Sequence, residues 1–286
     1  STTATAAAAL PKAGGTMTGN IATAGISAVT AGTSNFVAGV NAGNSITSGG
    51  NYNTAVGDEA GTAITTGDNS VTVGFNAGKS YTTQSQNTMI GSSAGVADTG
   101  ANNTGIGFNS IAAAGTGANN TAVGGFSLYA NTTGASNVAV GASALVANTT
   151  GGNNVAVGES ALTANTTAIN NIGIGVASLL SNTTGASNIA IGTSALRANT
   201  TGTVNVAIGY LALNSNTTAA YNVGIGYEAL KFNTTGTNNV GIGKGALEKN
   251  TTASNNTAVG WQALLANTTG LHNNALGKGA LESNTT

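Results

Sequence analysis

The chain has no cysteine, one proline, one histidine and one tryptophan, and charged side chains make up 5% of its 286 residues. Without cysteine there is no disulfide and no thiolate metal site. With His272 as the sole histidine, no zinc site and no His-based catalytic dyad has a pattern behind it. An ordinary soluble domain is about one quarter charged, so the surface is unusually neutral. The net charge of −1 offers no electrostatic case for nucleic acid or an acidic membrane surface. No apolar stretch approaches the roughly 20 residues that span a bilayer. Ser1 to Ala9 lack the basic and apolar regions of a signal peptide. The chain has no initiator methionine and stops at Thr286 in mid-repeat, and so reads as a piece of something longer.

What fills the chain is Gly, Asn, Thr, Ala and Ser, with Val and Ile on a fixed beat. That beat sets it apart from disordered chains, which are poor in β-branched residues and rich in proline and charge. A dipeptide of Val or Ile with Gly (Leu-Gly in the last copy) gives the register. Its glycines run Gly57, Gly74, Gly91, Gly107, Gly124, Gly141, Gly158, Gly175 and onward to Gly277, always 17 apart except for the 16 between Gly91 and Gly107. A looser copy ends at Gly39. Self-similarity at such a period is the mark of a solenoid. Positions below are counted from this column glycine as zero.

Positions −3 and −1 are usually Val, Ile or Thr, as in Val155 and Val157, and position −2 is nearly always Ala or Gly, as in Ala156. Alternation with period two is the signature of a strand. The β-branched pair reads as the core side of the coil. Ala156, Ala190, Ala207 and Gly224 then form a small-residue face on which three rods could approach a common axis; the competing assignment puts that face inside the coil. A second apolar pair follows at +3 and +4, Ala161-Leu162 in later copies and Ala60-Gly61 in early ones. Seventeen residues suit two short strands and two tight turns, one coil of a β-roll, which must stack to bury its apolar side. The expected fold is an all-β parallel solenoid of about 14–15 coils of 17 residues, forming an elongated homotrimeric fibre. Coil spacings of about 4.7–4.8 Å over the thirteen intervals from Gly57 to Gly277 make a rod of roughly 60 Å. The expected divisions are a connector over 1–34, early repeats over 35–128 and later repeats over 129–286.

Two asparagine columns stand out. One sits at −4, as in Asn137, Asn154, Asn171 and Asn188; the other, at +7, includes Asn148, Asn165, Asn182 and Asn199, each followed by Thr-Thr. Stacked asparagines can form amide ladders, and Asn-Thr-Thr-Gly reads as a turn. These triplets also match the N-glycosylation sequon, but a motif in every repeat is better explained by what makes the repeat stack.

Apart from Lys12, twelve of the fourteen charged residues fall at +1, +2, +5 or +6; Asp68 and Asp98 fall elsewhere. Because unpaired charge is costly to bury, those phases should face water. Aromatics share them, among them Tyr210, Tyr227 and Trp261, the candidates for surface contacts with sugars or a partner. No catalytic, cofactor-binding or metal-binding residues are indicated. Asp58 and Glu59 are adjacent with no recurring partner acid, and the glycines lack the helix and lysine of a phosphate loop. A regular array carries no unique spot for an enzyme's chemistry.

Residues 10–21, Leu-Pro-Lys-Ala-Gly-Gly-Thr-Met-Thr-Gly-Asn-Ile, resemble a segment common in tail fibre proteins of tailed bacteriophages. The units from Asn53 onward resemble phage tail fibre repeats and are similar to the coils in heads of trimeric autotransporter adhesins. The adhesin coils are usually a few residues shorter and lack the Asn-Thr-Thr turn. The resemblance implies a homotrimer on a virion, with other virion tail proteins and a host cell-surface receptor as partners, the receptor engaged through parts outside this segment. It implies neither nucleic-acid binding nor membrane insertion. The leading expectation is a tail fibre shaft projecting a receptor-binding tip. The alternatives are a bacterial cell-surface adhesin head and an ice-binding solenoid built on the recurring threonines.

Overall fold

The computed structural model describes residues 26–27 and 31–286. The tail-fibre-like segment at 10–21, and most of the expected connector, lie outside them. Among the described residues there is no helix, and sixteen strands form a single sheet in chain order. Strand β1 (Ile26–Ser27) pairs antiparallel with β2 (Phe36–Ala38). From β2 to β16 (Asn274–Leu276) each three-residue strand pairs parallel with the next. The register is one repeat per coil: Val155 opposes Ile172, Ala156 opposes Gly173 and Val157 opposes Ile174. The chain is a parallel β-solenoid.

Each coil holds one strand, not the two expected. The Ala-Leu pair is not a strand because its leucine is left-handed: Leu162 has φ 52°, and the same position carries φ 50–53° in every later coil. Positions +2 and −5 are left-handed too, as at Ser160 (φ 56°) and Asn153 (φ 57°). Left-handed residues bend the chain sharply, so a 17-residue loop closes with one short strand. Each non-glycine in this region costs about 1 kcal/mol or more. The stack compensates with main-chain hydrogen bonds to both neighbours. Val155 and Leu162 N–H donate to the Asn171 and Ser178 carbonyls of the following coil (2.8 and 3.0 Å). Gly158 and Ser160 N–H donate to the Val140 and Ala142 carbonyls of the preceding one (2.8 and 3.0 Å).

The column glycine is obligatory. At Gly158, φ is 134°, and a Cβ there would lie 2.7 Å from the Gly175 carbonyl. The same crowding recurs at each column glycine from Gly39 to Gly260.

The alternation of the strands runs opposite to the expected sense. The small residue at −2 points inward, with Ala139, Ala156, Ala190 and Ala207 fully buried, and the β-branched residues point out. In the later coils the interior is too narrow for anything larger: a Cβ on Gly173 would already sit 3.3 Å from Leu162 Cγ. Early coils, with glycine at +4, take Thr72 and Met89 at −2. A trimer contact through Ala156, Ala190, Ala207 and Gly224 is therefore ruled out, because these residues line the core.

Early and later coils share one backbone but fill it differently. Position +4 is left-handed in both, Gly61 and Gly78 early, Leu145 and Leu162 later. In early coils the core is filled from +7, by Ile64 and Tyr81, both fully buried. The two solutions exclude each other: a Cβ at Gly61 would lie 2.8 Å from Ile64 Cδ1, and one at Gly78 would lie 2.9 Å from Tyr81 Cδ2. Once leucine takes +4, position +7 is free for asparagine.

Candidate functional site

The −4 asparagines are buried and bridge the coils. Asn154 N–H donates to Asn137 Oδ1 (3.0 Å), and its side-chain Nδ2 donates to the Ala168 carbonyl (2.9 Å). Asn171 N–H donates to Asn154 Oδ1 and Asn188 N–H to Asn171 Oδ1, both at 2.9 Å. Where Ser70 replaces asparagine, the shorter side chain stretches its bond from Asn87 N–H to 3.3 Å.

The +7 asparagines form a side-chain ladder. Asn148, Asn165, Asn182 and Asn199 each donate Nδ2–H to the Oδ1 of the asparagine one coil earlier, at 3.0, 2.8, 3.1 and 2.8 Å. Each also donates to a carbonyl three residues on, as Asn165 does to Ala168 at 3.1 Å. The Ala168 carbonyl thus accepts from both ladders and ties them at one corner. Buried amides with their hydrogens committed this way are unavailable to a glycan, so the sequons are structural in the folded rod. The first threonine of each turn is committed as well: Thr149 Oγ1 donates to the Thr166 carbonyl at 3.1 Å. That leaves one exposed threonine column, Thr150, Thr167 and their equivalents, lying in a turn.

On the surface, the charged residues at +1, +2, +5 and +6 are exposed or half-buried. The +1 column brings Tyr210, Tyr227, Lys244, Trp261 and Lys278 into line. The Tyr210 and Tyr227 rings stack at 5.4 Å, Lys244 Nζ lies 5.5 Å from the Tyr227 centroid, and Lys278 Nζ lies 4.7 Å from that of Trp261. The two tyrosines pack against each other and the lysines lie over rings of the preceding coil, while Tyr210, Tyr227 and Trp261 stay 42–47% exposed.

Two acids interrupt the pattern. Asp68 is half-buried and accepts from Asn51 N–H (2.6 Å). Asp98 is buried at 1% exposure, at the +7 position of the shortened coil. It accepts from the Tyr81 hydroxyl (2.8 Å), Asn103 Nδ2 (2.9 Å) and Gly100 N–H (3.1 Å). Burial pushes its carboxyl up to about 6, against the opposing pull of these donors. Asp98 lies outside the water-facing charge phases, which is the signal in the sequence that marks it. Among the described residues no three of His, Cys, Asp or Glu gather as a metal-holding group, and no helix is long and apolar enough to cross a membrane. No protein-family model matches the chain, and no curated protein matches it.

Proposed function

We propose that this chain is the structural shaft of a tailed-bacteriophage tail fibre, a stiff spacer that projects a host-receptor-binding tip and so aids attachment. The observation that carries the reading is the unbroken stack. From β2 to β16 the parallel register never slips, and every coil is tied to its neighbours by main-chain bonds, with an asparagine ladder at −4 broken only by Ser70 and a second at +7 from Asn131 on. Fourteen spacings of about 4.8 Å make a rod of roughly 65–70 Å that is one coil wide. A spacer needs length and stiffness, and this chain spends its residues on both. The tail-fibre-like segment at 10–21 supplies the virion context. In this reading the array has no enzymatic role, binds no cofactor, and associates with further copies of itself and with other tail proteins.

Immunogold electron microscopy with antibodies raised against residues 129–286 tests it. Label along the fibres of virions from a phage carrying the gene is expected. Unlabelled virions, with label on the bacterial surface instead, would replace this reading with the adhesin one. The isolated protein should also melt above about 50 °C and resist protease.

A further inference from the structure

The rod has two sides. From Glu159 to Glu282 every charged residue lies at +1, +2, +5 or +6. The remaining side, from the Asn-Thr-Thr turn through the strand, carries no charge over those coils. Its centre is the outer face of the sheet, two residues per strand. From Phe36 and Ala38 to Asn274 and Leu276, none of these outward residues is charged, and the −1 column is apolar throughout. Ile90, Ile106, Ile174, Ile191 and Ile242 in that column keep 36–37% of their surface in water. A continuous apolar ridge of this length facing water marks a contact surface.

We infer that this outer strand face is the interface between parallel copies of the chain. The inference rests on the fibre reading, which calls for copies side by side, and it names the face they share. Three features select a second copy as the occupant. The first is charge: the strand face meets itself without like-charge repulsion, whereas facing +1 to +6 sides would set identical charges at identical heights. The second is pitch: another copy repeats at the same coil spacing, so parallel chains match at every coil. The third is area: a strip roughly 65–70 Å long and about 10 Å wide supplies roughly 650–700 Å², close to the about 800 Å² per partner of a stable complex. The exposed −5 column beside it, which carries no Asp, Glu, Lys or Arg and one histidine, His272, has Tyr52, Val204 and Tyr221 at 61, 46 and 59% exposure and widens the strip.

The absence of native cysteine makes the test direct. Ile174→Cys lies on the proposed interface and Arg197→Cys on the charged side, and both sites are exposed enough to oxidise without disturbing the core. Under mild oxidation I174C should form disulfide-linked pairs and R197C should remain single chains. Sedimentation of the unmodified protein should give a multiple of 27.3 kDa with the high frictional ratio of a rod. I174K/I191K should weaken association at least tenfold with an unchanged circular dichroism spectrum, while V176K/T193K at +1 should leave it intact. Cross-linking of R197C but not I174C would overturn the face assignment. A single-chain mass at all concentrations would overturn self-association, here and in the shaft reading alike, yet with a rod-like frictional ratio it would leave the stiff-spacer part of that reading standing. A compact frictional ratio would remove that reading too.

Discussion

The Tyr81 hydroxyl donates a 2.8 Å hydrogen bond to Asp98 Oδ2 in the interior of the solenoid, and this contact sits where the core changes type. Tyr81 is the last of the large +7 side chains that fill early coils. Asp98 takes the same position one coil later, where Gly95 at +4 leaves room and Met89 supplies the bulk. The +7 asparagine ladder starts beyond this point, at Asn131.

Asp98 predicts a pH dependence. Its carboxyl is raised from 3.8 to about 6, so the folded state holds the proton more tightly than the unfolded chain does. The protonated form contributes its full stability below pH 3.8, and that contribution is lost as pH rises through about 6. The loss is at most about 3 kcal/mol, less after relaxation around the site. Thermal melts at pH 4.5 and 7.5 should show this step in the native chain. Asp98→Asn, which installs the residue found at +7 in later coils, should abolish the step. A native slope equal to that of D98N would refute the assignment.

Replacing a column glycine should break the stack locally. Gly158→Ala forces a side chain into φ 134° and against the Gly175 carbonyl. A cost of about 3 kcal/mol or more is expected. Hydrogen exchange should show the protection loss centred on the coils of Gly158 and Gly175. The far coils should keep their protection, since each coil touches only its neighbours.

Asn165→Ala removes one rung from the +7 ladder. It strips Asn148 Oδ1 of its donor and Asn182 Nδ2 of one acceptor, both buried. With each buried unsatisfied group costing about 1–3 kcal/mol, the variant should lose about 2–5 kcal/mol in denaturant titration. Thr167→Ala, in the exposed column two residues on, should change stability by less than about 0.5 kcal/mol.

Leu162→Ala should cost about 2–5 kcal/mol, as a cavity opens in the core beside Gly173. Leu162→Gly relieves the left-handed strain but deletes one carbon more, so it should be no more stable than L162A beyond about 1 kcal/mol. Chemical denaturation of the two variants side by side checks this.

The period, the column glycine and the in-register stacking of the Val/Ile strand were legible because they are repeated demands on the same backbone atoms. The two asparagine columns were legible for the same reason. The direction of the strand was not. Alternation of Val155, Ala156 and Val157 reveals two faces, and the usual habit of placing β-branched residues inside fails here because Leu162 already fills the narrow interior. Nor was the single strand per coil legible: left-handed Leu162 runs against that residue's preference, and it is imposed by closure of the coil. The burial of Asp98 depends on the room left by Gly95 and on the reach of Tyr81, which are relations between coils.

The turn after +7 has a further meaning. The 18-residue coil from Gly39 and the 16-residue coil from Gly91 both change length there: Ile46 is followed by its buried turn glycine, Gly50, after four residues, Ile64 by Gly67 after three, and Asp98 by Gly100 after two. Strand, column glycine and asparagine keep their places across all three. The molecule therefore behaves as a ruler with a sliding margin. Excising residues 171–187 should shorten it by one graduation of about 4.8 Å and rejoin every ladder, while small insertions at Thr99 should leave the graduations untouched. Its reach is a matter of how many units the gene encodes.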